Sequence, residues 1–250
     1  MPQDLATQFL ALSEDRRRRM SAGDIPEEFR KTQAHILEIL HSIYGAERGM
    51  NFSKSICPDG FNFFIDVTAH AAKLGRPIRY LEIGSFEGVS MSVVAMLLSK
   101  RRIAGLPGSL VSIDPYYANG YIENHPVNGE VRSTSSGTTL TAARNLYHCL
   151  GLHVEHLRSQ SQPALLELIG AKQRFDMIYI DGLHAGLTPT IDFALSMCLL
   201  AEDGILILDD WPWPDVIGLK NLCDRHMEKL AECPDIVAYR AKPPVPRVNL

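Results

Sequence analysis

The chain has 250 residues, of which 46% are hydrophobic and 22% charged, a composition typical of a soluble globular protein with a large core. Its formal net charge is −4, so the basic surface of a nucleic-acid-binding protein is not expected. No stretch approaches the roughly 18 consecutive apolar residues of a membrane span, and the N-terminus lacks the pattern of a secretory signal. The five cysteines are widely spaced, which favours reduced thiols in a cytoplasmic protein.

The first 48 residues predict a helical extension that precedes the main domain, residues 49–250. Two runs of apolar residues recur at helical spacing, namely Leu5, Phe9, Leu10 and Leu12, then Ile36, Leu37, Leu40 and Ile43. Between them, Asp24 and Pro26 have positions expected at a helix start. Extensions of this kind often make oligomer contacts, so a homo-oligomer is one expectation. Four arginines at 16–19 could bind an anionic partner, but a solvated patch is the stronger interpretation.

A strand, a glycine-bearing turn and a helix follow, and the rest of the chain is organised around them. Residues 78–83 are rich in aliphatic, aromatic and β-branched side chains, as in a buried strand. Gly84 and Gly88 bracket a loop with little bulk, and from Val89 apolar residues recur at helical spacing. Such a turn brings backbone N–H groups and a helix N-terminus close to a polar ligand. An ordinary strand-to-helix turn would have the same pattern.

Strands and helices alternate through the remaining chain. Further strands are predicted at 109–114, 153–157, 175–181, 205–210 and 236–239. Further helices are predicted at 61–74, 138–150, 163–169, 188–200 and 215–230. Loops or turns are predicted at 45–60, 115–136 (a surface loop or lid) and 203–204. Most strands are continuous apolar runs, which predicts an α/β fold with a Rossmann-like, doubly wound, mostly parallel sheet.

One helix carries a clear apolar stripe. In the segment 188–200, the residues on this stripe are Ile191, Ala194, Leu195 and Cys198. Because apolar stripes normally face the core, we expect this face, with the Cys198 thiol, to be buried.

Acidic residues stand at the ends of four predicted strands. They are Glu82, Asp114, Asp181 and the pair Asp209 and Asp210. The carboxyl ends of parallel strands meet at one edge of the sheet, where ligands of such folds bind. Repulsion among these acids is costly unless a cation or hydrogen-bond donors lie between them. Asp114 has the position that grips a ribose diol, whereas Asp181, Asp209 and Asp210 offer the hard oxygen ligands that Mg²⁺ prefers.

Four segments, in this order, resemble the class I S-adenosylmethionine-dependent methyltransferases. They are LEIGSFEGVS at 81–90, SIDP at 112–115, DMIYIDG at 176–182 and ILILDD at 205–210. More narrowly, they resemble the metal-dependent O-methyltransferases, namely catechol O-methyltransferase and the macrocin-type sugar O-methyltransferases of natural-product pathways. The resemblance covers residues 50–240. It implies S-adenosylmethionine and Mg²⁺ or a similar cation as cofactors, and a hydroxyl of a small-molecule substrate as the methyl acceptor.

The resemblance also implies a role for each matching residue. The residues implied to hold the methionine portion of the cofactor are Glu82, Gly84, Ser85, Phe86, Gly88 and Ser90. Asp114 would accept the ribose hydroxyls, and Ser161 and Gln162 lie where the family contacts adenine. The implied cation ligands are Asp181, Asp209 and Asp210, of which Asp181 would also contact the cofactor and serve catalysis. Residues 50–52 resemble the family segment that contacts the methionine end.

His184 lies three residues after Asp181, where this family places its general base. An imidazole with an ordinary pKa of about 6.5 can accept a proton from an activated hydroxyl near neutral pH. Otherwise His184 is simply a residue of the loop before the next helix. His153 and His156 would point to opposite faces of one strand, so they are interpreted as structural.

Competing functions lack their motifs. A dinucleotide-binding dehydrogenase needs G-x-G-x-x-G, and a P-loop hydrolase needs G-x-x-x-x-G-K-[ST]; neither is present. A DNA amino-methyltransferase would carry Asn/Asp-Pro-Pro-Tyr/Phe after the fourth strand, where this chain has DGLH at 181–184. Methylation of nitrogen and a non-catalytic binding role stay open. The loop at 115–136 mixes tyrosines with asparagines, which suits a sugar or a phenol equally.

Overall fold

A computed structural model describes residues 27–44, 58–100, 108–117, 121–125, 129–133 and 137–241. The helices of this part are α1 Glu27–Tyr44, α2 Pro58–Ala72, α3 Val89–Lys100, α4 Gly137–Cys149, α5 Ser161–Gly170, α6 Thr188–Leu199 and α7 Ile217–His226. Its strands are β1 Arg79–Ile83, β2 Ser109–Ile113, β3 Tyr121–His125, β4 Gly129–Ser133, β5 Glu155–Leu157, β6 Phe175–Ile180, β7 Leu200–Leu208, β8 Met227–Glu232 and β9 Val237–Ala241. Within these ranges, no helix combines the length and apolarity needed to cross a membrane.

Seven strands form one sheet in the order β5-β2-β1-β6-β7-β9-β8. The strands from β5 to β7 run parallel, and β9 pairs antiparallel with both β7 and β8. This confirms the predicted doubly wound, mostly parallel sheet. The chain leaves β1 towards β2 and β5, then returns to the other side of β1 with β6. The strand order therefore reverses between β1 and β6, and the carboxyl ends of these strands flank the crevice where such sheets bind ligands.

Each face of the sheet is covered by its own set of helices. On one face, α1 to α4 pack over side chains such as Tyr80 and Met177. On the other, α5 to α7 pack over Leu81 and Ile178. Successive strand residues alternate between the two faces, which is why the parallel strands read as continuous apolar runs. Each fully buried aliphatic or aromatic side chain contributes roughly 1.5–3 kcal/mol to folding.

Several predicted boundaries were wrong in the region of the loops. Helix α2 begins at Pro58, so the turn predicted at 57–60 is helical from Pro58 onward. Proline is favoured in the first turn of a helix, since its fixed φ suits that position and no N–H bond is lost. The segment predicted as one loop at 115–136 contains the antiparallel hairpin β3–β4. Its strands are only five residues long and polar, which hides them from a hydrophobicity pattern.

Two further corrections concern the end of the chain. Strand β7 begins at Leu200, so the turn predicted at 203–204 is an irregularity within a strand, with Asp203 at φ +61°. Helix α7 ends at His226, and the residues predicted to continue it form β8. Pairing with β9 at the sheet edge outweighed helical spacing here, because strand formation depends on a neighbouring strand.

The apolar stripe predicted to be buried on the 188–200 helix is largely exposed. Ile191 and Cys198 face solvent, whereas Asp192, Ser196 and Leu199 are buried. The helix therefore buries two polar residues in place of its apolar stripe, and the prediction for Cys198 was wrong.

Some predictions fall outside the described residues. These are the first amphipathic run, the arginines at 16–19 and residues 45–57 (with 50–52). Helix α1 is described, and its Ile36 is fully buried against the same core as α2 to α4. The division at residue 48 stays a prediction.

Candidate active site

The turn between β1 and α3 requires glycine at two positions. Gly84 has φ +85°, and a Cβ there would lie 1.9 Å from the main-chain oxygen of Asp181. Gly88 has φ +78°, and its Cβ would lie 2.2 Å from the Tyr147 hydroxyl. Between them, Phe86 has φ +44° and donates its N–H to Asp114 Oδ2 at 3.0 Å. The loop is thus pressed against β6 on one side and tied to the end of β2 on the other.

Replacing Gly84 with alanine is expected to weaken S-adenosylhomocysteine (SAH) binding by at least about 10-fold and to lower the Tm. The left-handed conformation alone costs an L-residue roughly 1–2 kcal/mol, and the clash displaces the loop. Titration calorimetry and thermal unfolding measure the two effects. Gly218→Ala is the control, because a Cβ there meets nothing within 4 Å and stabilises a helix by about 0.5–1 kcal/mol. Unchanged SAH affinity in the Gly84 variant would contradict a ligand-binding role for this turn.

A first cavity, of about 220 Å³, opens beside the ends of β1, β2 and β6. Asp114, Ser161 and Gln162, three of the predicted cofactor residues, line it. Asp114 is nearly buried, and its two oxygens accept the N–H groups of Phe86 and Tyr116 at 3.0 and 2.9 Å. These bonds fix the plane of the carboxylate beside the cavity. Because a carboxylate, a hydroxyl and an amide side chain line it, we call the first cavity the nucleoside-like cavity.

A second cavity, of about 230 Å³, shares Gly84 with the first. The predicted residues that line it are Ser85, Phe86, Ser90, Asp181, Asp209 and Asp210. Its lining also includes Tyr179 and Asp235, which sequence reasoning did not single out, and none of its described lining residues is lysine or arginine. We call it the acidic cavity.

Glu82 and Gly88 line neither cavity in the described part of the chain. Glu82 is fully buried below the loop, where Oε2 accepts the Tyr80 hydroxyl at 2.6 Å and Oε1 accepts the Ser90 hydroxyl at 2.9 Å. Burial raises the pKa of Glu82 to about 7, and the hydrogen bonds oppose that rise. Ser90 does line the acidic cavity, so its hydrogen bond to Glu82 connects that carboxyl group to the cavity.

The acids at the ends of β6 and β7 are close together. Asp209, Asp210 and Asp235 each offer an oxygen within 4.8 Å of the others. Asp181 lines the same cavity and lies beside Asp209. Burial, then the charges of Asp209 and Asp210, raise the pKa of Asp181 well above its usual range. Four carboxyl groups with hard oxygens are a donor set that fits Mg²⁺, which would relieve their repulsion.

Asp235 could have been found from the sheet topology. It precedes β9, and β9 runs antiparallel to β7. The start of an antiparallel strand lies at the same edge as the carboxyl ends of its parallel neighbours. Asp235 thus lies at the same edge as the strand-end acids although it stands before its strand.

His184 lies beside the acids, as predicted. It is 9% exposed, with Nε2 3.8 Å from Asp181 Oδ1 and Nδ1 3.6 Å from Asp210 Oδ2. The Trp213 ring packs against the imidazole at a centroid distance of 5.3 Å. The loop that carries His184 is tied down by Gly186, whose N–H donates to Asp215 Oδ2 at 2.8 Å.

Asp192, which sequence reasoning also did not single out, lies beside His184 and Ser161. It is buried on α6, and burial raises its pKa to about 6, while the Ser161 hydroxyl and the charge of His184 oppose the rise. In the sequence, Asp192 could have been recognised as a single acid within an otherwise apolar helix.

Comparison with known proteins fits this geometry. A family model described as "Methyltransferase domain" matches residues 81–211, more than half of the chain. The O-methyltransferase from Bacillus cereus, solved in complex with SAH, aligns with a TM-score of 0.54 at 15% identity, covering 82% of this chain and 91% of that one. The SAH-bound Podospora anserina methyltransferase PaMTH1 aligns with a TM-score of 0.52 at 14% identity, covering 97% of each chain. The calicheamicin methyltransferase CalS11 aligns with a TM-score of 0.53 at 13% identity, covering 96% of this chain and 93% of that one.

No curated protein matches the sequence. At such low identities the solved structures show a common fold. The family model itself spans the glycine turn, Asp114, Asp181, His184 and the pair Asp209 and Asp210. The chain therefore belongs to the methyltransferase-domain family and is a class I S-adenosylmethionine-dependent methyltransferase.

Proposed function

We propose that this enzyme transfers the methyl group of S-adenosylmethionine to a hydroxyl of a small molecule, with Mg²⁺ or a similar cation in the acidic cavity. One observation carries the proposal: the nucleoside-like cavity and the acidic cavity meet at Gly84. A cofactor that lies across Gly84 would bring its sulfonium to the border of the two. The O-methyltransferase from Bacillus cereus, which has the same fold, supports the choice of oxygen as acceptor.

The proposed cofactor contacts follow from the two cavities. Asp114 accepts the ribose hydroxyls, since its oxygens are already oriented by two main-chain donors. Ser161 and Gln162, at the N-terminus of α5, border the adenine end. At the methionine end, the loop from Gly84 to Ser90 provides N–H groups and the Ser85 and Ser90 hydroxyls, with Phe86 as an apolar wall. Gly88 permits the turn, and Glu82 acts through Ser90.

Asp181, Asp209 and Asp210 are the proposed cation ligands, and Asp235 is close enough to join them. When bound there, Mg²⁺ would lower the pKa of an acceptor hydroxyl and neutralise part of the carboxylate charge. The acids themselves would border the acceptor at the edge of the cofactor site. Asp181 lies next to both Gly84 and His184, so it is the ligand nearest the reacting groups.

His184 is the proposed general base. It would accept the proton of the acceptor hydroxyl as the oxygen forms its bond to the methyl carbon and the carbon–sulfur bond breaks. The sulfonium keeps the bonding electrons and leaves as the neutral thioether of SAH. Asp181 and Asp210 flank the two imidazole nitrogens, so they would stabilise the imidazolium that results.

The acceptor is proposed to be a sugar or phenol of natural-product type. The calicheamicin methyltransferase CalS11, another protein of this fold, supports that class. The widely spaced cysteines support a cytoplasmic location.

Titration of the protein with SAH, with and without Mg²⁺, tests the proposal. We expect SAH to bind in both conditions, because none of the proposed cation ligands lines the nucleoside-like cavity. We expect Mg²⁺ to bind with a stoichiometry of about one per chain. Ca²⁺ is a useful comparison, since its larger shell would fit the same acids with different geometry. An absence of SAH binding would refute the cofactor site, and an absence of Mg²⁺ binding would refute the cation site alone.

A further inference from the structure

Two buried tyrosines lie directly below the two parts of the site. Tyr80 on β1 donates its hydroxyl to Glu82 Oε2 at 2.6 Å, and Tyr179 on β6 donates its hydroxyl to Asp209 Oδ2 at 2.7 Å. Both are at most 2% exposed. Glu82 and Tyr179 are paired across β1 and β6, so the two phenols point to the same face of adjacent strands.

We propose that these phenols are positioning residues that serve different parts of the reaction: Tyr179 orients Asp209 towards the cation, and Tyr80 orients Glu82 and, through it, Ser90 towards the cofactor. The inference rests on the proposed cation and cofactor sites and adds the residues that set their geometry. Neither phenol needs to contact the reacting atoms.

Tyr179 acts on a carboxylate that is held from two sides. Asp209 Oδ1 accepts the N–H of Asp210 at 2.9 Å, and Oδ2 accepts the Tyr179 hydroxyl. One donor on each oxygen fixes the rotation of the carboxylate, and each oxygen keeps a lone pair for another partner. Phe64 packs edge-on against the Tyr179 ring at 5.7 Å, so the ring itself is fixed. Partners of this kind behind a metal ligand typically change metal affinity by about 10–100-fold.

Tyr80 acts through a longer chain of contacts. Glu82 does not line the acidic cavity, but its second oxygen accepts the hydroxyl of Ser90, which does. Ser90 lies in the first turn of α3, immediately beyond the glycine loop. Removing the Tyr80 hydroxyl would leave Glu82 free to turn in its buried site and would release Ser90 from its present orientation. The effect is therefore expected on the methionine end of the cofactor and not on the cation.

Tyr179→Phe and Tyr80→Phe are matched variants, because each deletes one hydroxyl from the same face of neighbouring strands. Mn²⁺ serves as the metal probe, with binding followed by electron paramagnetic resonance, and SAH binding is measured by calorimetry without metal. We expect Tyr179→Phe to weaken Mn²⁺ binding by at least about 10-fold and to leave SAH affinity within about two-fold. We expect the reverse pattern for Tyr80→Phe, with SAH weakened by about 10-fold, the usual scale for a hydrogen bond to a charged group.

A merely structural role predicts a different pattern. If both variants lower the Tm and neither changes a ligand affinity, or if both weaken the two ligands alike, the assignment is overturned. Adding Tyr179→Phe to Asp209→Asn should cause no further loss of Mn²⁺ affinity, because the phenol acts only through that carboxylate. Wild-type protein that does not bind Mn²⁺ would overturn the proposed cation site together with the Tyr179 assignment. Wild-type binding with an unchanged Tyr179→Phe affinity would overturn the Tyr179 assignment alone.

Discussion

Replacing Asp209 with alanine is expected to lower kcat by at least about 10³-fold while SAH affinity changes by less than about two-fold. Stabilisation of a developing oxyanion by a bound cation contributes several kcal/mol, and about 1.4 kcal/mol corresponds to each factor of ten. Asp209 is central among the acids, since it lies beside Asp181 and has an oxygen within 4.8 Å of oxygens of Asp210 and Asp235. Turnover with a diol acceptor and SAH calorimetry measure the two quantities.

Two related variants decide which acids complete the cation site. Asp181 is the ligand implied by family resemblance, whereas Asp235 is the one grouped with Asp209 and Asp210 by distance. If metal affinity falls in Asp181→Ala and is unchanged in Asp235→Ala, Asp181 completes the proposed cation site with Asp209 and Asp210. If it falls in Asp235→Ala and is unchanged in Asp181→Ala, Asp235 does so. Glu167→Ala, on the exposed surface of α5, is the control for loss of an acid elsewhere. Loss of SAH binding in Asp209→Ala with unchanged metal dependence would refute the ligand assignment.

The core of the site could be predicted because parallel strands bring their carboxyl ends together. Asp114, Asp181 and Asp209 are far apart in the sequence, yet each directly follows an apolar run, and β2, β1, β6 and β7 are successive neighbours in the sheet. Once the sheet is known to be parallel, an acid at the end of a strand can be placed at the carboxyl edge of the sheet, beside the other strand-end acids. The glycines could be predicted for a similar reason, since no other residue tolerates their backbone conformation at such close approach.

What sequence reasoning missed depends on pairing between distant segments. Strand β8 and the position of Asp235 follow from the antiparallel edge of the sheet, which no local pattern reveals. The roles of Tyr80 and Tyr179 depend on which face of the strand carries each hydroxyl, and a buried tyrosine reads locally as one more apolar residue. Helix α6 buries Asp192 instead of its apolar stripe. This orientation likewise depends on contacts with other segments, namely with residues 161, 182 and 184.

Electrostatics explain why these hidden residues matter. The acidic cavity contains Asp181 and Asp209, whose pKa values are raised by burial and by the charges of neighbouring acids. The tyrosine and serine hydroxyls that donate to Glu82 and Asp209 oppose this rise in pKa and favour the charged form of each carboxyl group. The donors thus keep the two carboxylates oriented, and the repulsion that remains among the acids would favour binding of the proposed cation.

Replacing His184 with alanine is expected to lower kcat by about 10²–10⁴-fold, the usual effect of removing a general base. The imidazole is held between Asp181 and Asp210 by contacts of 3.8 and 3.6 Å and rests on Trp213, so its removal should not disturb the nucleoside-like cavity. SAH and Mn²⁺ affinities are therefore expected to stay within about two-fold of wild type.

The pH profile separates this role from a structural one. Without the imidazole, only solvent hydroxide can remove the acceptor proton, so the residual rate of His184→Ala should rise about 10-fold per pH unit. His184→Gln, which keeps much of the side-chain volume without a comparable base, should behave like alanine. His148→Ala, at an exposed position on α4, is the matched control and should retain the wild-type profile. A His184→Ala rate equal to that of the wild type would show that activation of the hydroxyl by the cation suffices without a protein base.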